Sequence, residues 1–131
     1  MVNDPIADFI IQIKNAGTAR NESVVISYSK MKSAIADVLL REGYIESVSK
    51  KGKGVKMGLE VCIKYLQNGY PKIDGVKRIS KPSRRLYSNA TSIPKVKGGH
   101  GKVILSTPVG IVTDKEAKEK SVGGEILFSI W

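Results

Sequence analysis

The sequence predicts an α/β (α+β) chain of two small packed domains. The first, residues 1–66, reads α-β-α-β-β, and the second, residues 67–131, is β-rich with one short helix. Three observations predict this. Two amphipathic helical patterns alternate with strand patterns in the first half. A cluster of turn formers, Gln67-Asn68-Gly69-Tyr70-Pro71, interrupts both the pattern and the charge density. Beyond it, Pro82, Pro94 and Pro108 cut the chain into segments too short for long helices. With 41% hydrophobic and 26% charged residues among 131, a packed core is feasible and global disorder is not expected.

The elements follow in order. Asp4 suits an N-cap and Pro5 the first helical position, so a helix is predicted over Pro5–Ala16 with Gly17 at its end. Ile6, Phe9, Ile10 and Ile13 form its apolar face. Val24-Val25-Ile26 reads as a short strand. Ser29 caps a second helix with Met31, Ala34, Ile35, Val38 and Leu39 at helical spacing, and Gly43 ends it. Tyr44–Ser49 reads as a strand, Lys50–Gly54 as a turn, and Met57–Tyr65 as an alternating strand with Leu59, Val61, Ile63 and Tyr65 on one face. Strand-like segments follow at Ile73–Ile79, Arg85–Tyr87, Val103–Ser106 and Glu125–Trp131. Thr113-Asp114-Lys115-Glu116 fits a capping box that opens a short helix through about Lys120.

Charge points to the class of partner. The net charge is +10, distributed as +3 over residues 1–65 and +7 over residues 66–131. Between Lys72 and Lys102 stand nine basic residues (Lys72, Lys77, Arg78, Lys81, Arg84, Arg85, Lys95, Lys97 and Lys102), opposed only by Asp74. Such asymmetry favours an anionic partner, nucleic acid first. Immediately after it, Ser106-Thr107 precedes Pro108 and Gly110 in a tight turn. The hydroxyl pair supplies short donors and acceptors beside charge that attracts phosphate.

Other chemistry finds little footing. Cys62 and His100 are the only residues of their kinds, so no disulfide and no His/Cys metal cage is expected, and no cofactor is implied. Lys97-Gly98-Gly99-His100-Gly101-Lys102 fails the phosphate-loop pattern because Val103 follows Lys102 and position 96 is Val, not Gly. It reads as a flexible basic turn. His100 lacks a partner for general-base work, and Cys62 falls within an alternating strand, so no catalytic residue and no small-molecule substrate are expected. No apolar run reaches the ~20 residues of a membrane helix, and the first residues do not read as a signal peptide. A reducing compartment and no membrane partner are expected. Tyr87, after Arg84-Arg85-Leu86, fits either a base-stacking role or the core.

Several segments resemble the bacterial small-subunit ribosomal protein eight family. They are Asn3–Asp8, Leu40–Ile45, Lys77–Pro82, Arg85–Tyr87, Ile93–Val96, Ser106–Ala117 and Gly123–Glu125, in the family's order from Asn3 to Trp131. The resemblance implies a two-domain protein of the cytoplasmic ribosome, or of an organellar one. It would bind a helix of small-subunit ribosomal RNA early in assembly, contact neighbouring small-subunit proteins and, in some bacteria, repress its own messenger. It also implies a Ser-Thr-Ser reading loop, matched by Ser106 and Thr107, with Pro108 replacing the second serine and removing a hydroxyl and an N–H. Ser83-Arg84 and Gly99–Lys102 depart from the family toward more polar or more basic residues. The candidate RNA-contacting set is Ser106, Thr107, Pro108, Tyr87, Arg84, Arg85, Lys81 and Lys102. Glu125 is expected to order the loop by hydrogen bonding, and Lys30 is either a contact from the first domain or a solvated lysine.

Overall fold

The computed structural model describes residues 4–94 and 101–131, so Lys95 and, of the predicted basic turn, Lys97 and His100 lie outside the described residues. The chain divides by contact into two compact units. One is Asp8–Asp74. The other is Gly75–Trp131 joined by the start of the chain through Ala7. The Gln67–Pro71 turn is internal to the first unit. It is tied by a bridge between Tyr65 and Pro71, and the Leu66 N–H donates to the Tyr70 carbonyl at 2.8 Å.

The first unit carries α1 (Pro5–Thr18, whose first turn groups with the other unit), β1 (Ser23–Ser27), α2 (Lys30–Arg41), β2 (Ile45–Lys51) and β3 (Gly58–Ile63). The strands form an antiparallel sheet in the order β1-β3-β2, with Val61 opposite both Val24 and Val48. The helical stripes are buried as their spacing demands. Phe9, Ile10 and Ile13 of α1 and Ile35, Val38 and Leu39 of α2 join Leu59, Val61 and Ile63 of β3 in the core. Met31 is the exception at 40% exposed, because it lies in the first turn of α2. Ser29 caps α2 by accepting from the Lys32 N–H at 3.1 Å, and Asp4 accepts from the Ala7 N–H at 3.2 Å.

Gly17 does not end α1. The helix continues to Thr18, and a Cβ at Gly17 would lie 3.0 Å from the Pro71 Cβ, so glycine there permits close packing. The helix closes instead on Arg20. Its N–H donates to the Gly17 carbonyl, and the Asn21 N–H donates to the Ala16 carbonyl. This is the Schellman pattern, which Gly43 completes for α2.

The second unit is built on β4 (Val76–Arg78), β5 (Tyr87–Ser88), β6 (Lys102–Thr107), β7 (Gly110–Thr113), α3 (Asp114–Glu119) and β8 (Gly124–Ile130). Its antiparallel sheet runs β4-β8-β6-β7, and β5 pairs with the same edge of β8 as β4. Three differences from the sequence expectation stand out. The predicted Ile73–Ile79 strand contracts to Val76–Arg78, although Gly75 still exchanges backbone hydrogen bonds with Trp131, against whose ring no side chain would fit. β5 is Tyr87–Ser88, starting two residues and ending one residue later than the expected Arg85–Tyr87. β7 has no counterpart among the expected strands; it is the return arm of a hairpin whose tip is Pro108-Val109. The capping box holds as predicted: Thr113 and Glu116 exchange hydrogen bonds at the start of α3. Val103, Leu105, Val112, Ala117 and Ile126 form the core on the α3 side.

Candidate nucleic-acid interface

β8 places Glu125 between two strands. Tyr87 of β5 is registered opposite Glu125, Glu125 opposite Ser106 of β6, and Ser106 opposite Ile111 of β7. Directly paired residues project to one face, about 4.5–5.5 Å apart. A phenol, a carboxylate and a hydroxyl therefore stand in one row. Leu105, Ile126 and Val112 alternate with them and fill the core on the opposite face.

Two glycines allow the row to close. A Cβ on Gly124 would overlap the Ser106 carbonyl and come within 3.1 Å of the Thr107 Cα. A Cβ on Gly123 would overlap the Ser88 carbonyl. Both obstacles are backbone, which cannot swing aside.

The carboxylate is engaged within the protein. Ser80, fully buried, donates its hydroxyl to Glu125 Oε2 at 2.6 Å and accepts from the Leu86 N–H at 3.1 Å. The Ser80 N–H donates to the Ile126 carbonyl, and the Ile126 N–H donates to the Leu86 carbonyl. Residues 81–85 are thereby clamped onto β8 as a small hairpin, closed by paired backbone bonds of 3.0 Å between Lys81 and Arg84. Its side chains Lys81, Arg84 and Arg85 are all exposed, and Tyr87 beside them is 66% exposed, which excludes the core role left open for that ring. Among the described residues, none hydrogen-bonds the side chains of these four residues.

The two alcohols differ. Thr107 Oγ1 donates to the Gly110 carbonyl at 2.8 Å and accepts from the Val109 N–H at 3.2 Å, so it is consumed in holding the turn. Ser106 is half-buried, and its hydroxyl has no hydrogen-bond partner among the described residues. Pro108 occupies the exposed first position of the two-residue tip, where a fixed φ suits the turn.

Two candidates lie apart from the row. Lys102 is half-buried at the other end of β6, opposite Ile130, about 13 Å along the strand from Ser106 at roughly 3.3 Å per residue. Lys30 is exposed at the first position of α2 in the other unit. Ser80 and Gly124 are the participants that reading the sequence missed. The Gly123-Gly124 pair was the available signal of close backbone approach; Ser80 carried none, because only long-range pairing makes it buried.

Among the described residues, no group of three or more His, Cys, Asp or Glu side chains could hold a metal, and no helix is long and apolar enough to cross a membrane. The arrangement is that of an α+β protein whose second sheet carries a phenol, a carboxylate and a hydroxyl in one row beside a cationic hairpin. The sequence pattern of the family described as Ribosomal protein S8 matches residues 4–131. The chain is 47% identical over 131 residues to the small ribosomal subunit protein uS8 of Lachnoclostridium phytofermentans. It is 48% identical over 130 residues to that of Dictyoglomus thermophilum. It is 45% identical over 131 residues to that of Synechococcus elongatus. Each alignment covers 99% of this chain and 98% of the relative. The chain belongs to the ribosomal protein S8 family, whose members are structural ribosomal proteins and not enzymes.

Proposed function

We propose that this chain is a constituent of the small ribosomal subunit in the cytoplasm that recognises an irregular helix of small-subunit ribosomal RNA through the Tyr87–Glu125–Ser106 row. Neighbouring small-subunit proteins are its further partners, and a similar RNA site in its own messenger would make it a translational repressor. The observation that carries the reading is the division of labour around Glu125. One carboxylate, through Ser80, orders a hairpin that presents Lys81, Arg84 and Arg85, and on its other side stands the Ser106 hydroxyl, unpartnered among the described residues.

The roles follow from chemistry. An A-form major groove is too deep and narrow for side chains, so minor-groove edges, 2′-hydroxyls and unpaired bases are the accessible features. Lys81, Arg84 and Arg85 neutralise phosphates and set register without reading sequence. Ser106, able to donate and accept, reads an edge or a ribose hydroxyl, and the Tyr87 ring offers a stacking surface. Glu125 holds the protein side of the interface in shape instead of meeting phosphate.

The test compares affinity for the organism's small-subunit ribosomal RNA with affinity for a scrambled RNA of equal length. Specific binding that weakens linearly with the logarithm of salt is expected. Equal affinity for both RNAs would reduce the protein to a general anion-binding scaffold.

A further inference from the structure

A second cationic site lies within the Asp8–Asp74 unit. It is a concavity of about 520 Å³, within the range of small-ligand sites. Lys14 and Arg20 line it from α1 and the turn after it, Tyr70 and Lys72 from the segment beyond β3, and Asp74 is the one acid in the lining.

Arg20 is the informative residue. The end of α1 requires a left-handed residue at the position where α2 uses Gly43, and Arg20 takes it with φ 62°. That conformation is disfavoured for a side chain with a Cβ. In return, the guanidinium reaches the Gly69 carbonyl and lies 5.0 Å from the centroid of the Tyr70 ring. Tyr70 is 61% exposed. A planar cation and an aromatic ring are thus stacked at the mouth of a hollow that also holds two lysines. Such platforms take unpaired bases, and the adjoining ammonium groups take phosphate.

We propose that the Lys14–Arg20–Tyr70–Lys72 cavity binds one unpaired nucleotide of ribosomal RNA, its base stacked on Tyr70 and Arg20 and its phosphate held by Lys14 and Lys72. The proposal rests on the reading that this chain binds ribosomal RNA, and it adds a contact from the other unit.

Arg20→Gly is the decisive variant, because glycine is the residue this helix end prefers. In the full-length chain its unfolding midpoint should be unchanged or raised, while affinity for protein-free small-subunit ribosomal RNA falls about tenfold, the scale of one lost stacking contact. Tyr70→Leu should match that loss, and Tyr70→Phe, which keeps the ring, should retain most of the affinity. Wild-type affinity in both Arg20→Gly and Tyr70→Leu overturns the proposal. So does micromolar binding of AMP or inorganic phosphate with RNA affinity untouched, which assigns a free-anion site. A defect seen only when other subunit proteins are present assigns a protein partner and overturns it as well. Ser106→Ala, measured alongside, separates the two readings. If it alone weakens binding, the cavity proposal fails and the sheet face stands; if Arg20→Gly alone does, the reverse holds; if neither does while cognate RNA is still preferred over scrambled RNA, the cavity proposal and the reading role of Ser106 both fail, and if that preference is absent in the wild type, the reading of RNA recognition itself fails.

Discussion

Ser80 and Glu125 are joined by a 2.6 Å hydrogen bond between a fully buried hydroxyl and a half-buried carboxylate, 45 residues apart in the chain. The bond connects the inside of the second unit to its cationic rim, since the same hydroxyl accepts the Leu86 N–H. Ser80→Ala should therefore act twice. It leaves the Leu86 N–H without its acceptor and the carboxylate without its donor, a loss of roughly 1.5–3 kcal/mol for a hydrogen bond to a charged group. Urea unfolding would measure the stability loss. RNA titration of the still-folded variant should show weaker binding, as the Lys81–Arg85 hairpin loosens. Unchanged stability would mean that the bond contributes nothing.

Ser106→Ala should leave stability within about 0.5 kcal/mol, as expected of a hydroxyl without a hydrogen-bond partner among the described residues. Discrimination between cognate and scrambled RNA should fall about tenfold, roughly 1.4 kcal/mol, while the salt slope stays constant. Competition binding at two salt concentrations checks both quantities.

The Arg84→Ala, Arg85→Ala double variant should do the opposite. Each lost phosphate contact reduces the slope of log affinity against log salt by about 0.7–0.9, and binding to cognate and scrambled RNA should fall alike. A slope equal to that of the wild type would remove these arginines from the phosphate-contacting set.

Thr107→Val should weaken the β6–β7 turn by about 1 kcal/mol, because two hydrogen bonds of one half-buried side chain are lost together. Hydrogen exchange at the Val109 amide reports it directly and should accelerate. Thr107→Ser, which keeps the oxygen, should restore protection.

Gly124→Ala should cost roughly 1–3 kcal/mol, the range for forcing atoms into filled space, because the added methyl meets the Ser106 carbonyl. Thermal denaturation is the measurement. A neutral result would show that β6 and β8 separate more readily than their backbone approach implies.

The legible parts of the fold are those set by neighbouring residues. The apolar spacing of α1 and α2, the Ser29 cap, the Thr113–Glu116 capping box and the alternation in β3 each depend on contacts within a few positions, and each stands as read. Gly17 resembles a terminator because it is a glycine near a helix end, whereas here it clears space for Pro71, 54 residues away. β7 escaped notice because Gly110–Thr113 carries too few residues to display a period, and only pairing with β6 makes it a strand. Within the candidate interface, the residue types were readable but their grouping was not. Ser106 and Thr107 look equivalent in sequence, and the turn alone separates a committed hydroxyl from an unpartnered one.

By itself, the sequence determined an α+β chain with a positively charged second half, its local helix signals, and a family shared over nearly its whole length. Helical period and capping are properties of adjacent residues, and net charge is a property of composition. Tertiary structure decided that Tyr87, Glu125 and Ser106 form a row, that Ser80 is buried beneath them, and that Arg20 reaches Tyr70. Those placements depend on strand register and chain reversal across tens of residues, where no local preference of the backbone specifies which groups meet.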